Sequence, residues 1–367
     1  MTPSQCRSVV LMLPGTGAQH PRMALGLWRR QPVFTEAVEA VLDRLGPEGE
    51  AIRADWLADE PRVPLDADSR AAPLLFAVDY AMGRLVQSWG VRPAAYLGHS
   101  MGELAAAVLT GVFGLDAAVR LLWERVRMQR STPVGGMLAV AAGPQELSGY
   151  LGGDLVVGAV NGPRHTVLSG PEHLLRAAEH ALRADGRTFR RLGTHTPYHS
   201  PALAPLVADT VDLVARLRPA VPRAPLYSAY TAGPLRAHEA VDPHFWAVQP
   251  TRPVMFWRTL DRVLRDGDRL LVETGPAQTL TVLARAHPAV RAGRSAVVPT
   301  LPPRAAGPDA DRRCVEAARA ALADGGHLTA RRTFEAALSP PGDARTRHGE
   351  DGGLPRTGRS GRGTRHT

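Results

Sequence analysis

Residues 98–102 read G-H-S-M-G, so Ser100 lies at the centre of a G-x-S-x-G pattern. Many proteins match this pattern by chance, but here a short apolar run precedes it and an Ala-rich stretch follows it. A strand, a serine between two glycines and a helix form a nucleophile elbow, a sharp turn that exposes the serine hydroxyl. The helix N-terminus and the backbone N–H of Met101 would then face the oxyanion of an acyl transfer. The pattern predicts a serine nucleophile, and the alternative is an ordinary turn serine.

A serine nucleophile needs a base, and the chain contains 13 histidines. His199 stands out because Ser200 suits a helix N-cap and Pro201 suits the first helical position. A histidine at a helix N-terminus is near the positive end of the dipole, which favours the neutral imidazole that a general base requires. His99 adjoins Ser100, but neighbours at a tight turn point in different directions, so we expect a structural role for it. No Asp or Glu stands out as the acceptor that orients the base.

Arg125 lies on the apolar side of a predicted helix over residues 116–130. It follows Ala118, Leu121 and Leu122 by seven, four and three residues, and these spacings place side chains on one helix face. An arginine that points into a core is costly unless it meets an anion. The sequence leaves two interpretations open, an internal salt bridge and a site for an anionic group.

Three predicted strands would position these residues. Residues 8–19 read as a buried strand that ends in a Gly-rich turn, residues 91–100 as a strand that enters the elbow, and residues 268–276 as a later strand. Helical stretches lie between them, and strands that alternate with helices form a mostly parallel sheet covered by helices. We therefore expect an α/β core.

The middle of the chain differs from this pattern. Residues 134–193 show the order β-α-β-β-α-β, which is typical of a ferredoxin-like subdomain. We expect it to be inserted into a core formed by residues 1–133 and 194–338. Residues 339–367 contain almost no core-forming residues, which predicts a disordered tail rich in Arg and Gly.

Length and composition exclude several classes of protein. The chain has 367 residues, of which 44% are hydrophobic, enough for a full core. It has no apolar run of the ~18 to 20 residues that a membrane span needs, and no secretory signal. Cys6 and Cys314 are isolated in the sequence and lack metal-ligand spacing, so we expect a cytoplasmic protein without a metal site.

The net charge of +9 could suggest nucleic-acid binding. However, residues 339–367 alone hold six Arg against three acidic residues, and the remaining Arg residues are scattered without interleaved aromatics. We therefore expect no nucleic-acid partner. The chain also contains no Lys, which excludes a phosphate-loop lysine and Schiff-base chemistry.

Taken together, the motifs resemble those of malonyl-CoA:acyl carrier protein transacylases and polyketide synthase acyltransferase domains. The segments that carry the resemblance, over roughly residues 8–300 and in the order of that family, are LPGTGAQ, GHSMGELAAAVLTGVF, NGPRHTVLSG, PYHSP, FWAVQPTRPV and ETGPAQTL. The resemblance implies an α/β-hydrolase-like core with a parallel sheet and an inserted ferredoxin-like subdomain, in agreement with the pattern of elements.

The resemblance also implies roles for individual residues. Ser100 would be the acylated nucleophile and His199 its general base. Gln249 occupies the position from which the family holds this histidine through a main-chain carbonyl. The backbone N–H groups of Met101 and Thr16 would form the oxyanion hole.

The substrate-binding residues follow from the same resemblance. Arg125 would bind the free carboxylate of a malonyl group, a task that suits the planar fork of arginine. Tyr198 takes a position where an aromatic residue accompanies malonyl specificity, and Met101 and His99 flank the nucleophile. Thr16 departs from the Gln common in the family, which leaves the backbone donor but changes any side-chain contact.

The resemblance implies ping-pong acyl transfer from malonyl-CoA to the phosphopantetheine thiol of an acidic acyl carrier protein, without a bound cofactor. We expect a discrete enzyme that acts in trans in a polyketide or fatty-acid pathway. The alternatives are an editing thioester hydrolase, a carrier-to-carrier acyl or aminoacyl transferase, an enzyme for an unusual extender unit, and a non-catalytic docking protein on the same fold.

Overall fold

The computed structural model describes residues 7–328, which contain two β-sheets and their covering helices. Within this range the strands are β1 (Ser8–Leu13), β2 (Ala95–Gly98), β3 (Gly135–Val140), β4 (Val156–Gly162), β5 (His165–Pro171), β6 (Phe189–Arg191), β7 (Leu226–Ser228), β8 (Gly233–Pro234), β9 (Arg269–Glu273) and β10 (Ala296–Pro299).

The α-helices in the same range are α1 (Pro32–Leu42), α2 (Pro47–Leu57), α3 (Asp68–Ser88), α4 (Gly102–Leu109), α5 (Leu115–Gln129), α6 (Glu172–Ala184), α7 (Val207–Leu217), α8 (Ala237–Ala240), α9 (Pro243–Ala247), α10 (Phe256–Arg265), α11 (Thr279–Arg285), α12 (Pro288–Arg291) and α13 (Pro308–Asp324). Short 3₁₀ helices cover Asp43–Leu45, Pro144–Tyr150, Pro201–Leu206 and Gln249–Thr251.

The larger sheet has six strands in the order β10-β9-β1-β2-β7-β8, and all neighbours are parallel except β7 and β8. The central position of β1 agrees with the burial of both of its faces. Its residues Leu11 and Leu13 pack into one hydrophobic cluster with α1, α3, α4 and α5, whereas Val10 and Met12 pack into a second cluster with α10 and α11. A strand buried on both faces reads as an unbroken apolar run, as this one does.

The smaller sheet is antiparallel throughout, in the order β4-β5-β3-β6. Numbered within this segment the strand order is 2-3-1-4, that of a ferredoxin-like fold. Helix α6 and the 3₁₀ helix Pro144–Tyr150 cover one face through a small apolar cluster that includes Leu147, Leu168 and Leu175. The fold class predicted from the sequence is confirmed. The first helix of the predicted β-α-β-β-α-β order differs, because it is a single 3₁₀ segment of seven residues.

The two sheets are also linked by backbone hydrogen bonds. The N–H of Val160 in β4 donates to the carbonyl of Val254 at 2.8 Å, and the N–H of Val254 donates to the carbonyl of Gly158 at 2.9 Å. Val254, which belongs to the segment predicted as the larger core, therefore pairs with β4 at the edge of the small sheet. The boundaries proposed at residues 133/134 and 193/194 stay predictions.

Some sequence-based expectations lie outside the described residues. These include the predicted disordered tail over residues 339–367, the last part of the core up to residue 338, and Cys6. Cys314 is a free thiol on α13. Across residues 7–328, no helix combines the length and the hydropathy of a transmembrane span.

Candidate active site

Ser100 occupies a sharp turn between β2 and α4. Its φ of 53° lies in the left-handed region, an unusual conformation for a residue other than glycine. The flanking glycines are required by space, since a Cβ on Gly98 would lie 2.2 Å from the Cα of Glu103 and one on Gly102 would lie 2.1 Å from the carbonyl oxygen of Leu13. This backbone is the strained strand–turn–helix of a nucleophile elbow.

His199 completes a hydrogen-bonded pair with this serine. Its Nε2 lies 2.7 Å from the Ser100 Oγ, and its Nδ1 faces the carbonyl oxygens of Arg252 at 3.0 Å and Gln249 at 3.3 Å. A carbonyl can only accept, so Nδ1 carries the ring proton and Nε2 is free to accept the serine proton. The His199 backbone N–H also donates to the carbonyl of Pro250 at 2.6 Å.

The ring of His199 is neutral under ordinary conditions. Burial is the main reason that its pKa falls to about 4, and repulsion from the nearby His99 and Arg125 acts in the same direction. Hydrogen bonds to the two carbonyls oppose this shift without reversing it. A neutral imidazole with a free Nε2 meets the requirement of a general base.

The helix predicted after His199 begins as a six-residue 3₁₀ helix, Pro201–Leu206, and becomes α-helical only at Val207–Leu217. Ser200 takes the N-cap position, but its hydroxyl donates to the carbonyl of Pro197 at 2.7 Å and accepts no N–H of the helix. Burial therefore replaces the predicted helix dipole as the main cause of the neutral histidine.

Arg125, on α5, faces the same space from the opposite side. Its Nη2 donates to the carbonyl oxygen of Trp246, while its Nε is buried without a hydrogen-bond partner within residues 7–328. Burial lowers its pKa to about 10, and the nearby Tyr230 and Glu103 oppose that shift without reversing it. No acidic side chain of the described range forms an ion pair with it, so the internal salt bridge considered above is not found. A buried guanidinium N–H without a partner is suited to an anionic ligand.

All eight residues predicted for the site line one cavity of about 390 Å³. They are Thr16, His99, Ser100, Met101, Arg125, Tyr198, His199 and Gln249. The cavity opens at the carboxyl ends of β1 and β2, where loops of a parallel sheet meet. The structure thus brings together residues that are up to 233 positions apart, the separation of Thr16 from Gln249.

The loop after β1 lies directly against the elbow. A Cβ on Gly15 would lie 2.5 Å from the carbonyl oxygen of His99 and 3.1 Å from the Cβ of Ser100. Only glycine permits this approach, which brings the next residue, Thr16, into the cavity beside Met101. The roles of Thr16 and Met101 as oxyanion donors stay predictions.

Two further predicted residues form the cavity wall. The Tyr198 hydroxyl donates to the Gln129 Oε1 at 2.8 Å, one helical turn beyond Arg125. The His99 Nε2 lies 2.8 Å from the Asn161 Oδ1, and the ring packs against another aromatic side chain. His99 therefore contacts Asn161 and also borders the cavity, and its structural role stays a prediction.

The chain is similar to known proteins along most of its length. The acyl transferase domain family matches residues 10–322. The chain belongs to this family.

The acyltransferase is 37% identical over 281 residues to a protein of the phenolphthiocerol/phthiocerol polyketide synthase of Mycobacterium tuberculosis, a match that covers 76% of the acyltransferase and 19% of the relative. It therefore spans about a fifth of the length of that relative. It is also similar to the crystal structure of the acyl transferase domain of SpnD in complex with 2-(pent-4-yn-1-yl)malonyl, with a TM-score of 0.82, 30% identity, and coverage of 89% and 79% of the two chains.

A third similarity concerns the fold alone. A complex of a type II polyketide synthase acyl carrier protein with its malonyl transacylase matches with a TM-score of 0.73 at 21% identity, covering 86% of the acyltransferase and 99% of that chain. The family, the fold and the enzyme class predicted from the sequence are confirmed.

The acyltransferase site also contains residues that the sequence analysis missed. Glu103 is completely buried three residues after Ser100, and Arg252 supplies the nearer carbonyl to His199. Tyr230 lines the cavity with its ring centroid 6.0 Å from that of His199. Glu103 had a signal, since it is the acidic residue in the otherwise apolar α4, whereas nothing in the sequence distinguished Tyr230 or a main-chain carbonyl.

Metal-ligating side chains do not gather at this site. In the part of the chain that the structure describes, no group of three or more His, Cys, Asp or Glu residues is placed to hold a metal ion. The polar groups of the cavity lining include instead a hydroxyl, an imidazole and a guanidinium, from Ser100, His199 and Arg125.

Proposed function

We propose that the acyltransferase moves a malonyl-type acyl group from CoA to the phosphopantetheine thiol of an acyl carrier protein, in polyketide or fatty-acid biosynthesis. One observation carries the proposal. Among the described residues 7–328, the hydrogen-bonded pair of Ser100 and His199 shares a cavity with Arg125, whose Nε has no hydrogen-bond partner. A nucleophile and a carboxylate site in one cavity match a thioester that carries a free carboxylate.

The first half-reaction acylates the serine. The Ser100 Oγ attacks the thioester carbonyl while its proton passes to the His199 Nε2, and the backbone N–H groups of Met101 and Thr16 stabilise the oxyanion. When the tetrahedral intermediate collapses, the carbon–sulfur bond breaks and the CoA sulfur takes the proton from the imidazolium. Arg125 binds the acyl carboxylate throughout and thereby fixes the reacting carbonyl.

The second half-reaction repeats these steps with another thiol. The phosphopantetheine thiol of the carrier protein gives its proton to the His199 Nε2 and attacks the acyl-serine, and the Ser100 Oγ leaves with that proton. The same residues act in both directions because CoA and the carrier protein present the same pantetheine arm. We propose no cofactor besides the CoA thioester and the pantetheine of the partner.

The named relatives support the substrate class and the partner. The SpnD domain is in complex with a malonyl derivative, and the similarly folded malonyl transacylase is in complex with an acyl carrier protein. The Mycobacterium tuberculosis relative belongs to a polyketide synthase. A cytoplasmic location, expected from the isolated cysteines, stays a prediction.

The proposal is tested by the intact mass of the protein after incubation with malonyl-CoA or acetyl-CoA. We expect wild type to gain the malonyl mass much faster than the acetyl mass, and Ser100→Ala to gain neither. A holo acyl carrier protein, added as a separate protein, should then remove the malonyl group and gain its mass, which tests transfer in trans.

Three results would contradict the proposal. An acylated Ser100→Ala protein would show that the nucleophile is another residue. Equal acylation by the two thioesters would remove the malonyl assignment. Loss of the acyl group to water at the same rate with and without the carrier protein would favour the editing hydrolase.

A further inference from the structure

Glu103 is a buried carboxyl in the first turn of α4, three residues after the nucleophile. One oxygen, Oε2, accepts the backbone N–H of Ala229 at 3.0 Å, and the other, Oε1, accepts the side-chain amide of Gln249 at 3.2 Å. Both hydrogen bonds connect the start of α4 to segments that are distant in sequence, at separations of 126 and 146 positions. A carboxyl with no exposed surface is retained only when it is well satisfied, as this one is.

Gln249 is the first residue of the short 3₁₀ helix that holds the base. The carbonyls of Gln249 and Arg252 face the His199 Nδ1, and the carbonyl of Pro250 accepts the His199 backbone N–H. Every hydrogen bond described above that orients this imidazole, apart from the one to the serine, therefore comes from residues 249–252. A single 3₁₀ turn has poor internal hydrogen-bond geometry and needs outside contacts to hold its carbonyls in place.

We propose that Glu103 is a positioning residue for the general base: its carboxyl fixes the Gln249 side chain, and through it the carbonyls that orient His199. The inference rests on the proposed roles of Ser100 and His199. Glu103 does not contact the serine hydroxyl or the imidazole in these interactions, so it acts through the turn. Because Glu103 lies in the first turn of the helix that directly follows Ser100, its hydrogen bond to Gln249 connects the elbow to the turn that holds the base.

The same contact explains how the base is oriented without an acidic side chain on its Nδ1. An Asp bonded directly to the ring would hold the tautomer and the orientation in one step. Here the neutral carbonyls of Gln249 and Arg252 hold the tautomer of His199. The Glu103 carboxyl does not touch the ring and instead stabilises the turn that carries these carbonyls. Loss of the carboxyl would leave the Gln249 amide and the Ala229 N–H without an acceptor in a buried place, and the turn would shift to satisfy them.

The test compares Glu103→Ala, Gln249→Ala and the double variant in single-turnover acylation of Ser100 by malonyl-CoA. We expect each single variant to lower the maximal acylation rate about 10-fold to 100-fold, the size of a lost buried hydrogen bond. The concentration of malonyl-CoA that gives half the maximal rate should not rise. The double variant should be no slower than the slower single variant, since both remove one connection.

Asp55 supplies a control because it is also a buried carboxyl, 3% exposed against 0% for Glu103, and it does not line the cavity. It accepts the backbone N–H of Arg62 at 2.8 Å and the Arg70 Nε at 2.7 Å, one backbone and one side-chain donor as at Glu103. Asp55→Asn should lower the melting temperature while the acylation rate, measured well below that temperature, stays within about twofold of wild type. This control shows what the loss of a buried carboxyl does to stability alone.

The outcomes separate the inference from the proposed function. A wild-type protein that never acylates Ser100 rejects the function itself. A folded Glu103→Ala protein that acylates at the wild-type rate, or two single losses that multiply in the double variant, overturns the positioning role. If Glu103→Ala does not fold, Glu103→Gln and Gln249→Ala replace it, and a wild-type rate in Gln249→Ala overturns the inference equally.

Discussion

The cavity has two halves that differ in how completely the protein satisfies their polar groups. The reacting half consists of Ser100, His199 and residues 249–252, and each ring nitrogen and the serine hydroxyl has a hydrogen-bond partner. The acyl half consists of Arg125, Gln129 and Tyr198, and there the Nε of the arginine lacks a partner in the described range, residues 7–328. The reacting half is complete without substrate, whereas under the proposed function the carboxylate of the acyl group completes the acyl half.

From this difference we expect the reacting half to govern the rate of acylation and the acyl half to govern the selectivity among acyl groups. Groups held in place before the reaction stabilise a transition state without reorganisation, which is the task of the reacting half. A buried polar group that is satisfied only by the right ligand discriminates strongly against ligands that lack the matching group. We therefore expect changes in the reacting half to slow all acyl groups alike and changes in the acyl half to alter the ranking of acyl groups.

We expect the largest loss of acylation rate when the proposed general base is removed. His199→Ala removes the acceptor of the serine proton and should slow acylation of Ser100 by about 10²-fold to 10⁴-fold. The loss should be the same for malonyl-CoA and acetyl-CoA, because the proton transfer does not involve the acyl carboxylate. Quenched-flow intact mass measures both rates.

His99→Ala is the comparison variant for the base. It removes the bond to Asn161 and should lower stability along with any loss of activity. Normal acylation by His199→Ala would assign the base to another histidine, and a loss confined to malonyl-CoA would break the division of the cavity into two halves.

The next effect concerns the carboxylate site. Arg125→Ala should reduce acylation by malonyl-CoA by at least about 10²-fold, since breaking one side of a buried charge pair typically costs about 3 to 5 kcal/mol. Acetyl-CoA has no carboxylate and should react at close to its wild-type rate, so the preference for malonyl should be lost. The ratio of the two kcat/KM values is the measurement.

Arg120 provides a control on the same helix, because its side chain is exposed to solvent. Arg120→Ala should leave both rates and their ratio unchanged. Equal losses for malonyl and acetyl groups in Arg125→Ala, with a lower melting temperature, would instead make the arginine a structural residue.

The smallest effect concerns the wall of the acyl half. Tyr198→Phe keeps the ring but removes the hydrogen bond to Gln129, worth about 1 kcal/mol, so we expect about a fivefold lower preference for malonyl-CoA over methylmalonyl-CoA. The reason is that a ring released from its partner can move and admit the extra methyl group. Competition between the two thioesters, read by intact mass, gives the ratio directly.

A second Tyr–Gln pair makes this prediction sharper. The buried Tyr96 hydroxyl accepts a hydrogen bond from the Gln87 Nε2 at 2.7 Å, and neither residue lines the cavity. Tyr96→Phe should cost a similar amount of stability without any change in selectivity. A change in both variants, or in neither, would show that the Tyr198 hydroxyl does not control the acyl pocket.

The nucleophile elbow was predictable because its sequence signals are local. A Cβ on Gly98 would meet Glu103 of the same segment, and the left-handed Ser100 lies between the two glycines, although Gly102 is required by Leu13 of β1, which is distant in sequence. The order of strands and helices was predictable for the same reason, since the periodicity of apolar residues in each segment reflects the faces that it buries. Arg125 was identifiable in the sequence because it is a charged residue on the apolar face of a predicted helix.

Only the tertiary structure decided which distant groups meet. The 3₁₀ segments at Pro144–Tyr150 and Pro201–Leu206, the carbonyl of Arg252 and the ring of Tyr230 have no signature in neighbouring residues. The sequence by itself determined the elbow, the order of the elements and an arginine in need of an anion. The packing of α4 against the end of β7 and the turn at residues 249–252 decided what Glu103 binds, because a hydrogen bond between residues 146 positions apart depends on how the whole chain folds.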